Sequence, residues 1–64
     1  MKAKEFFFKA YANLPLSLRQ EIIVVLDNEP LSWNAVKIEI ENETSKGKAI
    51  LVKLVQMRII KEDG

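Results

Sequence analysis

Pro15, Pro30 and the polar stretch from Asn42 to Gly47 cut this chain into four short segments. Proline lacks the amide hydrogen that a helix interior needs, and it pushes the residue before it away from helical geometry. A chain of 64 residues divided in this way has room for one small domain, residues 1–64, built from short elements. Apolar residues make up 48% and charged residues 30%, which is the balance of a folded chain. The sequence has no cysteine and no histidine. Disulfides and thiolate metal sites are therefore excluded, and the commonest general base near neutral pH is missing.

The first segment, Lys2 to Asn13, carries Ala3, Phe7, Ala10 and Leu14 at helical spacing. It predicts an N-terminal helix within residues 1–14, ended by Pro15. Phe6, Phe7 and Phe8 together span about 200° of a helix circumference. Two readings cover Phe6, Phe8 and Tyr11: a helix sandwiched between two others, or a self-association surface in a homodimer. The second segment places Gln20 three residues after Ser17, the spacing of a capping box. The expectation is a central helix from Leu18 to Leu26, with Leu18, Ile22, Val25 and Leu26 on one face and Asn28 closing it.

Two readings fit the third segment, Ser32 to Asn42. Val36 to Glu41 alternates like a half-buried strand, whereas Trp33, Val36, Lys37 and Ile40 share one helical face. On the helical reading Ser32 is the N-cap and Asn42 the C-cap. Trp33 reads as a core anchor, and Tyr11 as a packing residue with its hydroxyl at the rim. The fourth segment, Thr44 to about Met57, is ambiguous in the same way, and its length favours a helix. Thr44 then caps it, and Gly47, Ile50, Leu51, Leu54 and Met57 form its buried stripe. A glycine in the first turn costs about 1 kcal/mol relative to alanine, and close approach of another helix backbone would explain it. Arg58 to Lys61 reads as extended, followed by the turn-prone Asp63-Gly64.

The net charge of +1 conceals an asymmetry. Residues 33–43 hold Lys37 against Glu39, Glu41 and Glu43. Residues 44–61 hold Lys46, Lys48, Lys53, Arg58 and Lys61 with no acid. Such a basic element can neutralise phosphates even on a nearly neutral body.

These features together resemble a winged-helix type of helix-turn-helix domain over residues 17–61. The matching text is Leu18–Leu26 for a first core helix, Asp27–Pro30 for a turn, Leu31-Ser32 opening a second helix and Thr44–Lys48 opening a third. Arg58-Ile59-Ile60 would lead into the first wing strand. The chain departs from the family by stopping at Gly64, so the wing is absent or vestigial. The resemblance implies a mainly α fold, a three- to four-helix bundle with at most a short C-terminal strand. The alternative is an α+β fold with a C-terminal hairpin. It also implies that the fourth segment is a recognition helix in the major groove of double-stranded DNA. Thr44 and Ser45 would then bind phosphate with the free amides of the helix start. Lys46, Lys48 and Lys53 would be electrostatic anchors, and Gln56 would contact a base edge.

The functional expectation is a small cytoplasmic DNA-binding protein, a possible transcriptional regulator acting as a homodimer. The alternative is a protein–protein adaptor that uses the N-terminal aromatic helix. No catalytic constellation is evident. Ser17, Ser32 and Ser45 lack an imidazole, and Lys46-Gly47-Lys48 lacks the glycine and hydroxyl positions of a phosphate loop. Glu39, Glu41 and Glu43 read as charged surface. No enzyme, metal, cofactor or small-molecule ligand is expected. The apolar runs are too short for a secretory signal or a membrane span.

Overall fold

In the computed structural model, which describes residues 2–60, the order of elements is helix, 3₁₀ turn, hairpin, helix, helix. The N-terminal helix α1 runs Ala3–Ala12, and Asn13 and Pro15 end it as expected. Leu16–Gln20 is a single 3₁₀ turn with Pro15 as its N-cap. Strands β1, Ile22–Leu26, and β2, Glu29–Ser32, then pair antiparallel in a two-stranded sheet. Helix α2 spans Trp33–Glu41 and helix α3 spans Ser45–Gln56.

The hairpin overturns the helix expected over Leu18–Leu26. Ile22 to Val25 are four β-branched residues in a row, which lose rotamer freedom in a helix and fit a pleated surface. Asp27 and Asn28 both take positive φ, 51° and 66°, giving the two-residue turn whose twist suits an antiparallel pair. Asn28 therefore closes a hairpin and not a helix. Leu18, Ile22 and Val25, assigned to a core face, are exposed, and Val24 is the residue of β1 that is buried. The helix that the winged-helix resemblance placed at Leu18–Leu26 is accordingly absent, and the described strands precede α2. Arg58, Ile59 and Ile60 form a turn and bend, so the described part of the expected C-terminal strand does not form. Lys61, Asp63 and Gly64 lie outside the described residues.

Helices α2 and α3 settle both ambiguities on the helical side. The Ser32 hydroxyl accepts a hydrogen bond from the Ala35 amide at 3.1 Å, and the Thr44 hydroxyl accepts one from Gly47 at 2.8 Å. Each cap satisfies one of the free donors of its helix start. Both helices end alike. Glu43 and Arg58 sit left-handed, at φ 52° and 60°. Thr44 and Ile59 donate back to the carbonyls of Glu39 and Leu54, while Glu43 and Arg58 donate to those of Ile40 and Val55. This is the Schellman closure, here with charged residues where glycine is usual.

The core unites Ala3 and Phe7 of α1, Val24 and Leu31 of the hairpin, Val36 and Ile40 of α2, and Ile50, Leu51 and Leu54 of α3. Ile60 joins it after α3. Phe7 is fully buried, with Trp33 stacked at 5.7 Å, Tyr11 at 6.2 Å and Phe8 edge-on at 5.6 Å. Gly47 sets the approach of the last two helices. A Cβ there would lie 2.5 Å from the Glu39 carbonyl oxygen, so only glycine lets α3 rest against the α2 backbone.

Candidate functional site

Helix α3 has three distinct flanks besides its buried stripe of Gly47, Ile50, Leu51 and Leu54. Ser45, Ala49, Val52 and Gln56 recur at helical spacing and are exposed, forming its outward side. Lys48 and Val52 line the flank toward α1, beside a cleft of about 360 Å³ shared with Lys4, Ile40, Glu43 and Leu51. Lys46, Lys53 and Met57 line the flank toward the hairpin.

The cations expected to meet phosphate are divided by this arrangement. Lys46 donates to the Glu29 carboxylate at the start of β2. That hydrogen bond pushes the Lys46 ammonium above its ordinary value, desolvation opposes it, and the fields of Glu29, Glu39 and Asp27 add to the rise. Lys53 donates to the Val25 carbonyl at 2.6 Å. Lys48 alone of the three has no side-chain partner among the described residues. The hydroxyl of Thr44 is also engaged, bonding Glu39 Oε1 at 2.7 Å as well as capping Gly47. Glu29, Glu39 and Glu43 thus surround the start of α3, where a phosphate would have to sit. Ser45 and Gln56 remain free on the outward side.

The aromatic helix is likewise committed to the interior. Phe6, Phe8 and Tyr11 are each half-buried and packed against the core. Tyr11 donates its hydroxyl to Asn34 Oδ1 at 2.6 Å, and the Arg19 guanidinium covers its ring at 4.3 Å. Arg19 also donates to the Tyr11 carbonyl at 3.2 Å.

A different apolar surface stands open. Ile22 and Val25 of β1 are 56% and 49% exposed, and Met57 after α3 is 48% exposed. Together with Ile23, Val24 and Lys53 they line a shallow trough of about 300 Å³ between β1 and the end of α3. The unpaired edge of β1 borders it. Val25 faces Pro30 in the ladder, and proline has no amide to give, so the carbonyl of Val25 points outward, where Lys53 meets it. Sequence reasoning missed this surface because it assigned Ile22 and Val25 to a helix core. The signal that marks it was the unbroken β-branched run before Asp27-Asn28.

Among the described residues no group of three acidic or other ligating side chains could hold a metal, and no helix is long and apolar enough to cross a membrane. The chain matches no family model, no curated protein and no solved structure.

Proposed function

We propose that this protein is a small protein–protein interaction module whose contact surface is the β1 edge with the end of α3. The observation that carries the reading is the trough bordered by Ile22, Val25 and Met57. Three large apolar side chains, each about half exposed, stand together beside unpaired backbone groups. Apolar surface gathered next to a free strand edge is the ordinary substrate of strand addition, in which backbone bonds give affinity and side chains give selectivity. This takes up the adaptor that was the alternative expectation from the sequence, with its surface at the hairpin in place of the aromatic helix.

A photo-crosslinking residue placed at Val25, with a control at the exposed Lys9 of α1, tests this in the native cell. The reading expects discrete adducts from position 25 and none from position 9. Equal adducts from both, or none from 25, would contradict it.

A second reading, DNA binding, is favoured by one arrangement. Helices α2 and α3 are joined by the three residues Asn42, Glu43 and Thr44, and α3 turns Ser45, Ala49, Val52 and Gln56 outward. Such side chains suit base edges and thymine methyl groups. The carboxylates around the start of α3 weigh against it. Retention on duplex DNA that falls steeply with salt, and is lost in Lys48→Glu, would promote this reading above the first.

A further inference from the structure

We infer that the cleft where α1 meets the α2–α3 corner is a binding site for a medium-chain fatty acid, held by its carboxylate at Lys48 and Lys4 and by its chain over Ile40, Leu51 and Val52. This site is separate from the trough beside β1, and it stands independently of the interaction reading.

Three elements make the cleft. Lys4 comes from the first turn of α1, Ile40 from the end of α2, and Gly47, Lys48, Leu51 and Val52 from α3, with Glu43 in the connection between the last two helices. Its surface is mainly apolar, and at about 360 Å³ it lies near the lower end of the sizes that hold small-molecule ligands. Val52 is 44% exposed on a helix side that otherwise carries Ser45, Ala49 and Gln56, and the cleft gives that exposure a use. Lys4, Lys48 and Glu43 are the charged side chains on its border, an excess of one cation. Lys48 meets no carboxylate among the described residues. Lys4 meets Glu43 at 3.2 Å, and the Glu43 side chain is 72% exposed. An exposed pair of this kind contributes little to stability, so an incoming carboxylate displaces Glu43 into solvent at small cost.

The backbone at this corner decides between a small ligand and a peptide. The amides of Glu43, Thr44, Gly47 and Lys48 all donate within the chain, to the Ile40 carbonyl, the Glu39 carbonyl, the Thr44 hydroxyl and the Thr44 carbonyl. A peptide laid in the cleft would bury its own carbonyls there without backbone donors, which is costly. A fatty acid has one polar end, and ammonium groups meet it with charge-assisted hydrogen bonds. The rest of it is methylene, which the aliphatic walls and the stems of the two lysines accept. Inorganic phosphate gains nothing from those walls, and a neutral alcohol gains little from the lysines. The combination of an apolar floor with cations at its rim therefore selects a carboxylate on an aliphatic chain.

Octanoate titrated into the isotope-labelled intact chain, with octanol as the matched neutral probe, tests the inference by NMR. The methyl signals of Ile40, Leu51 and Val52 should shift together and saturate, while those of Ile22 and Val25 stay in place. Each methylene added between butanoate and octanoate should tighten binding by about two- to fourfold. Lys48→Gln, at an exposed position, should weaken octanoate by about three- to tenfold and leave octanol unchanged to within about twofold. Val52→Asn, also exposed, should weaken octanoate and octanol alike, because it touches only the chain. The amide spectrum checks that each variant keeps its fold. Four results overturn the inference: no saturable shift up to roughly ten millimolar octanoate, octanol binding as tightly as octanoate, a Lys48→Gln chain that binds octanoate unchanged, or shifts centred on Ile22 and Val25. None of them bears on crosslinking from position 25, so the two readings fail separately.

Discussion

Replacing Gly47 by alanine pits helix propensity against packing. The substitution gains about 1 kcal/mol of propensity. It also pushes a methyl group to 2.5 Å from the Glu39 carbonyl oxygen, where backbone and not a flexible side chain must move. Overpacking of this kind costs about 1–3 kcal/mol, and rigid backbone places it at the upper end. Gly47→Ala should therefore lower stability by roughly 1–2 kcal/mol net in urea denaturation. A gain would show that α2 and α3 are less closely apposed.

Arg58 offers the opposite sign. It holds a left-handed conformation at the end of α3 with exposed surroundings. Glycine takes that conformation without the steric cost, so Arg58→Gly should stabilise by about 1 kcal/mol. For a domain of this size the melting temperature should rise by roughly 4–8 °C. Glu43 is in the same conformation, but its carboxylate also pairs with Lys4 at 3.2 Å, which makes Arg58 the cleaner test. Lys46 contributes a pH dependence of known sign. Its folded value is raised by Glu29, so its contribution is complete below the ordinary lysine value of 10.5 and is lost as the pH climbs through the folded value. Stability should be insensitive to this group near neutral pH.

Individual elements show where local sequence signals agree and where they compete. Helix α1 was legible because apolar spacing and Pro15 gave the same answer. The boundaries of α2 and α3 were legible in their caps, Ser32 and Thr44, even though Val36–Glu41 alternates like a strand. The alternation misleads because it runs against the end of the segment: Val36 and Ile40 are buried one helical turn apart, and Ile38 is left 56% exposed. The hairpin was not legible because two weak helix signals, Ser17 with Gln20 and the spacing of Leu18, Ile22 and Val25, outvoted a turn that only two residues specify. Asp27-Asn28 lacks the glycine that usually advertises such a turn. Asn28→Gly should accordingly raise hairpin stability by a few tenths of a kcal/mol, while Asn28→Ile should lower it by about 1 kcal/mol or more. Equal stabilities of the two variants would argue against the positive φ at this position. Thr44→Ala should cost about 1–2 kcal/mol, because its hydroxyl caps Gly47 and also bonds Glu39.

At the scale of the whole molecule, folding offsets part of the charge asymmetry along the chain. The basic fourth segment reads as a phosphate-binding helix only while its acidic neighbours are distant in sequence. Folding brings Glu29 to Lys46 across 17 positions and Glu43 to Lys4 across 39. These long-range pairings are invisible to spacing within one helix: of the three lysines named on α3, Lys46 meets a carboxylate, Lys53 a backbone carbonyl, and Lys48 neither among the described residues. The candidate site moves for the same reason. Phe6, Phe8 and Tyr11 looked surplus to one core, yet Asn34 and Arg19 close over Tyr11, and Phe6 and Phe8 pack against the core around Phe7. Among the large apolar side chains left exposed, Ile22 and Val25 lie on the strand that folding placed at an edge.

The Val25 amide reports directly on that edge, because in an antiparallel ladder it points the same way as the Val25 carbonyl, away from β2. Photo-crosslinking from Val25 in the native cell, set against the exposed Lys9, is therefore the decisive experiment. The account predicts discrete adducts from position 25 and none from position 9. Equal adducts from both positions, or none from position 25, would contradict it.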